Sequence, residues 1–187
     1  INKHTELDTD MAWHIRELDL TPYKEDLQRL EGRVRVTGPT VFITLRRFNN
    51  ESQNRLQKIV AECLQQNQNK QVIVALMEPQ RVDPAGYAAL QNWQQQYKNV
   101  QILDFSFNPL ALFLFFRKYH DQLAYVGPQF HGILSAHLAG VPYLPLAYDN
   151  KVHNLLNYLQ PDQPTLRIEA LQTGDVQRFI DGAYERA

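Results

Sequence analysis

Short apolar runs alternate with helical patterns along most of this chain, and that rhythm leaves few folds open. Val41 to Leu45 is an apolar, β-rich run of the kind that fits a strand covered on both faces. A helix follows from about Asn50, with Glu51 in its first turn and Leu56, Ile59, Val60, Cys63 and Leu64 along one face. Val72 to Leu76 is the next strand, and Pro84 opens a helix through Leu90 and Trp93. The cycle repeats with a strand at Val100 to Leu103 and a phenylalanine-rich helix from Pro109. A strand at Leu123 to Val126 then leads, through Gly127 and Pro128, into a helix from Phe130 to Ala139 stopped by Gly140. Tyr143 to Leu146 is a short strand before a helix from about Asn150 to Leu159. Thr165 to Ile168 is the sixth strand, and a helix from Asp175 to about Tyr184 is last.

Six strands alternating with six helices predict an α/β domain. Its doubly wound, mostly parallel six-stranded Rossmann-like sheet would carry helices on both faces, in the order 3-2-1-4-5-6. Residues 41–187 form that domain. Residues 1–40 do not fit the rhythm and read as an incoming linker with one helix, from Pro22 to Leu30.

The charge balance narrows the partners. Lys and Arg number 19 against 20 Asp and Glu, so no overall field draws the chain to nucleic acid or an anionic membrane. Cys63 is the single cysteine, which excludes an internal disulfide and a cysteine-based zinc site; within its helical pattern it reads as a packed thiol. The apolar stretch from Pro109 to Phe116 is too short to span a bilayer. No secretory signal is evident, and a first residue of Ile1 points to a processed product or a fragment.

In an open doubly wound sheet, ligands bind at the carboxyl ends of the strands flanking the reversal of strand order. Here those are strands one and four. Strand one runs into Arg46 and Arg47; strand four runs into Gly127 to Gly132, with His131 in the first turn of a helix whose free N–H groups face the same crevice. A strand-end arginine is ordinarily a solvated charge, and a lone first-turn histidine is often incidental. Their convergence on one crevice predicts an anionic ligand, a phosphate or a carboxylate. His137, six residues on, falls on a different face and packs. A second cluster runs from Tyr148 to His153, in which Asp149 or Asn150 can cap the next helix while Lys151 and His153 face the same end of the sheet. No metal pattern emerges, because His131 and His137 lack the four-residue spacing that puts two ligands on one helical face.

The segment from Phe130 to Pro142, reading Phe-His-Gly-Ile-Leu-Ser-Ala-His-Leu-Ala-Gly-Val-Pro, and the Leu146-Ala-Tyr-Asp-Asn-Lys151 that follows resemble the polysaccharide pyruvyltransferase family. That family carries a histidine-led helix ending in Ala-x-x-Gly-Val-Pro and then a strand ending in Tyr-Asp-x-Lys. Thr44 to Phe48 is similar to its Ser-Leu-Arg-x-Phe strand end, and Asp8 to Trp13 to its Asp-Pro-Ala-Phe segment. The resemblance implies the carboxyl-terminal half of a GT-B-like enzyme, whose amino-terminal domain is missing here, acting in the cytoplasm in exopolysaccharide biosynthesis. It implies transfer of a pyruvyl group from phosphoenolpyruvate to a saccharide acceptor without a further cofactor. His131 would be the general acid; Arg46, Arg47, Gln129, Gly132, Tyr148 and Lys151 would contact substrate. One position departs from the pattern: the family has Arg-x-His, and Gln129 stands where that arginine would be. A lost charge-assisted contact to a dianion weakens binding by about 1.5–3 kcal/mol. Two further readings stay open, a GT-B glycosyltransferase domain using a nucleotide sugar and a non-catalytic relative serving as an interaction domain.

Overall fold

The computed structural model describes residues 15, 18–47, 50–77, 82–104, 108–159 and 166–185. Its centre is one all-parallel sheet of five strands: β1 (Thr40–Leu45), β2 (Gln71–Leu76), β3 (Val100–Leu103), β4 (Leu123–Gly127) and β5 (Tyr143–Pro145), in the order β3-β2-β1-β4-β5. Register pairs Ile43 with Val74 on one side and with Val126 on the other, and Val126 with Leu144. The strands are joined by α2 (Asn50–Gln66), α3 (Pro84–Gln96), α4 (Pro109–Lys118) and α5 (Phe130–Ala139). Before the sheet comes α1 (Lys24–Arg33), and after it α6 (Asn150–Leu159) and α7 (Thr173–Tyr184). The architecture is Rossmann-like.

Alternation along the strands sorts the core into two layers. Val41, Ile43 and Leu45 of β1, with Val72, Val74 and Leu76 of β2, face Leu56, Val60, Cys63 and Leu64 of α2, Leu90 of α3 and Ile180 of α7. Phe42 and Ile73 face the other way, into Leu30 and Val34 at the end of α1, Phe115 and Phe116 of α4, Ile133 of α5 and Leu155 of α6. Both faces of β1 are therefore covered, which is why its sequence carries no charge. The Phe42 ring meets Phe116 edge-on at 5.1 Å and 85°. Six consecutive α4 residues, Ala111 to Phe116, are buried, so this helix is wedged among its neighbours rather than laid on a surface. Asn108 caps it through the Leu110 amide at 2.9 Å, with Pro109 at its first position.

The sixth strand expected at Thr165 to Ile168 is not a strand in the described residues. Arg167 makes one isolated parallel bridge to Ala147, and the chain then coils into a 3-10 turn at Ile168–Ala170. Hydrogen bonding along β5 explains the difference. Leu146 donates to Gly127 on β4 at 3.0 Å, so residues 145 and 147 direct their amide positions outward. Ala147 does donate there, to Leu166 at 3.0 Å, but Pro145 has no N–H to offer. A sixth strand is thus held at a single residue.

Cys63 lies 1% exposed against β1 and β2, its sulfur 3.6 Å from the Asn67 amide nitrogen. Burial pushes its thiol up to about 12. We expect it to resist thiol-exchange reagents at pH 8 in the folded chain and to react fully on unfolding. An acid raised by folding contributes stability that is complete below its unfolded value, near 9, and is lost as pH climbs through 12. Burial raises the Tyr125 and Tyr184 phenols as well, so all three groups weaken the fold in the same alkaline direction. Denaturant midpoints measured from pH 7 to 11 should therefore fall with pH above about 9.

Candidate anion-binding site at the carboxyl edge of the sheet

The chain reverses its strand order between β1 and β4, and the residues leaving their carboxyl ends build the site. Arg46 follows β1 directly. Its guanidinium donates to the Tyr148 hydroxyl and lies over that ring, 4.8 Å from the centroid. Tyr148 belongs to the segment that leaves β5, three residues before Lys151. The Lys151 ammonium lies 4.2 Å from the centre of the Phe130 ring, at the first position of α5. The His131 imidazole meets the same Phe130 ring edge-on, at 5.4 Å and 79°. Two cations and an imidazole thus lie against two aromatic rings at this edge, Tyr148 and Phe130. Arg46 pairs with Tyr148, while Lys151 and His131 share the Phe130 ring.

The other sequence-derived candidates take separate places. Arg47 donates to the Val82 carbonyl at 2.9 Å, on the β2 side. Gln129 is the N-cap of α5, yet its side chain makes no capping bond. On the neighbouring strand, the Tyr125 phenol crosses from β4 to bond Thr44 Oγ1 on β1 at 2.7 Å. Gly132 is buried beneath that phenol. A Cβ there would stand 2.8 Å from Tyr125 Cζ and closer still to its hydroxyl, so the glycine makes room for the ring. His137 lies elsewhere on α5, with Nδ1 3.1 Å from the Tyr143 hydroxyl. Asp149 caps α6 by accepting from Val152 N at 2.8 Å. Beyond Tyr148, a polar cavity of about 70 Å³ is lined by His153, Arg167 and Glu169. His153 Nδ1 is enclosed there and has no hydrogen-bond partner among the described residues. The segment from Asp8 to Trp13 lies outside the described residues.

Three features of this edge were not anticipated from the sequence. Thr44 and Tyr125 form the polar clamp beneath α5, two hydroxyls set within largely apolar strands. Arg167 reaches the rim because its bridge to Ala147 brings it beside β5. Phe130 serves as the platform for both Lys151 and His131.

Chemically, the edge offers fixed positive charge next to a titratable imidazole. Guanidinium and ammonium groups held by aromatic rings lose little freedom on meeting an oxyanion. The Phe130, His131 and Gly132 amides at the start of α5 add dipolar attraction, since no side chain caps that terminus. Among the described residues no cluster of three His, Cys, Asp or Glu side chains is placed to hold a metal. No helix among them is long and apolar enough to cross a membrane. No family model matches the chain, and no curated protein matches it.

Proposed function

We propose that the chain is a transferase domain of the polysaccharide pyruvyltransferase type, moving the pyruvyl group of phosphoenolpyruvate to a saccharide in the cytoplasm. The observation that carries this reading is the set of contacts at one sheet edge: Arg46 over Tyr148, and Lys151 over the Phe130 ring that His131 also meets. Phosphoenolpyruvate brings a phosphate and a carboxylate, and Arg46 and Lys151 are the two cations that meet them. His131 protonates the methylene carbon, which leaves positive charge on the carbon bearing the phosphate. One sugar hydroxyl adds there. A second displaces inorganic phosphate, completing the ketal and returning two protons to the site. With glutamine at position 129, the charge for the donor comes from Arg46 and Lys151 alone.

Calorimetry with phosphoenolpyruvate tests the donor. The protein should bind it, and Arg46→Ala should weaken binding about ten- to hundredfold, the equivalent of ~1.5–3 kcal/mol for one charge-assisted contact. Absence of binding in the parent protein sinks the assignment. One observation favours a nucleotide-sugar donor instead: Glu169 stands at the rim beside Tyr148, where an acidic side chain meets a ribose. Thermal shifts with uridine diphosphate sugars that exceed those with phosphoenolpyruvate, and that vanish in Glu169→Gln, would select that reading.

A further inference from the structure

Three segments that the fold brings together build the polar cavity beyond Tyr148. Asp149 and Asn150 stand at the start of α6, and His153 follows one turn later, its amide donating to the Asp149 carbonyl at 3.1 Å. Arg167 arrives beside β5 through its bridge to Ala147, where the Ile168 amide donates to the Ala147 carbonyl at 3.2 Å. Ile168, 1% exposed, then anchors the 3-10 turn that carries Glu169. Backbone bonds and a buried isoleucine thus fix where an imidazole, a guanidinium and a carboxylate meet. His153 supplies the sign of a ligand. It lines the cavity, and its Nδ1 is enclosed with no hydrogen-bond partner among the described residues. A buried polar atom left in that state costs stability unless something supplies the missing bond. Nor do the charges at the rim satisfy each other: among the described residues no hydrogen bond or ion pair joins the side chains of Arg167 and Glu169.

We propose that this cavity binds a small zwitterion, a free α-amino acid whose ammonium donates to Glu169 and to His153 Nδ1 while its carboxylate accepts from Arg167. Charge selects this class. A lone anion would meet Arg167 but also the carboxylates of Glu169 and Asp149, and a lone cation would meet Arg167. A molecule carrying both charges pairs with each, and both contacts are charge-assisted. Asp149 is already committed as the cap of α6, accepting the Val152 amide at 2.8 Å. The imidazole accepts at Nδ1 when its proton sits on Nε2. Size narrows the choice further. The cavity of about 70 Å³ has room for roughly two waters, so glycine or alanine suits it and a long side chain does not. The site goes beyond the pyruvyl-transfer reading and needs neither phosphoenolpyruvate nor His131.

Glycine is the probe, titrated into the intact isotope-labelled protein and followed by two-dimensional NMR. Saturable shifts should cluster at residues 149–153 and 167–169 and leave 129–132 unmoved, so this site and the phosphoenolpyruvate site can fail separately. Arg167→Gln and Glu169→Gln, both at exposed positions, should each weaken binding about tenfold or more. His153→Phe keeps a ring in place but removes the acceptor, and should weaken binding severalfold. Acetate and methylamine, each carrying one of the two charges, should bind at least tenfold more weakly than glycine. Melting curves establish that the variants are folded. Shifts that rise with glycine without saturating overturn the proposal. So does parent-like affinity in any of the three variants, or binding of acetate or methylamine as tight as that of glycine.

Discussion

If His131 is the general acid of the proposed pyruvyl transfer, replacing it by alanine should lower that activity about 10²- to 10⁴-fold, the range spanned by a positioned general acid. The loss should fall on kcat, because on that proposal the imidazole acts on the methylene carbon while Arg46 and Lys151 would continue to hold the donor. The side chain is exposed and packs only edge-on against Phe130, so the melting temperature stays within a few degrees of the parent's. Steady-state release of inorganic phosphate in the presence of acceptor, paired with a melting curve, checks both halves. Unchanged phosphate release would place the chemistry elsewhere, and no release from the parent is the behaviour of a non-catalytic relative. His131→Gln keeps a polar group of similar size but supplies no acidic proton, so it should be as inactive as alanine.

The largest effect on stability is expected at Gly127. A Cβ there would stand 2.7 Å from the Tyr125 hydroxyl and would overlap Thr44 Oγ1, both in fully buried residues. Neither neighbour is the free end of a flexible chain, since each holds the other through the 2.7 Å bond across β1 and β4. Overpacking of this kind costs about 1–3 kcal/mol, and breaking the buried hydroxyl pair adds about 1–3 kcal/mol. Gly127→Ala should therefore lower the unfolding free energy by about 3 kcal/mol, read as a fall in urea midpoint at constant slope. Gly132→Ala meets the same phenol and should be destabilising in the same way. A double-mutant cycle then isolates the cause: with Tyr125→Phe already in place, the alanine at position 132 should cost clearly less than in the parent. Strict additivity would mean that the Tyr125 hydroxyl is not what the glycine accommodates.

Much of the scaffold could be read from the residues alone. The strand runs at Val41 to Leu45 and Val72 to Leu76 are apolar on both alternating faces, and β1 and β2 lie within one residue of those bounds. Gly140 stops α5 with φ of +77°, the left-handed geometry its position suggested. Strand order follows the expected 3-2-1-4-5 as far as the sheet extends. The sixth strand was overestimated because periodicity weighed Thr165 to Ile168 by itself, while its pairing depends on Pro145 in another segment. At the site, sequence could place Arg46, His131, Tyr148 and Lys151 at one edge, since that follows from topology. It could not assign their partners. Whether Arg46 meets Tyr148, or Arg47 turns to Val82, is decided by side-chain packing between residues 102 and 35 positions apart in the chain, respectively. The Thr44–Tyr125 clamp is of the same kind.

The central claim is that Arg46, Lys151 and the start of α5 form one cradle for a phosphorylated carboxylate. Two-dimensional NMR of the isotope-labelled protein titrated with phosphoenolpyruvate reads it most directly. Saturable backbone shifts clustered at residues 46, 129–132 and 148–151, and abolished in Arg46→Ala, are the result this account predicts. Shifts that spread evenly over the surface, or that cluster on the opposite edge of the sheet around residues 40, 71 and 123, would contradict it.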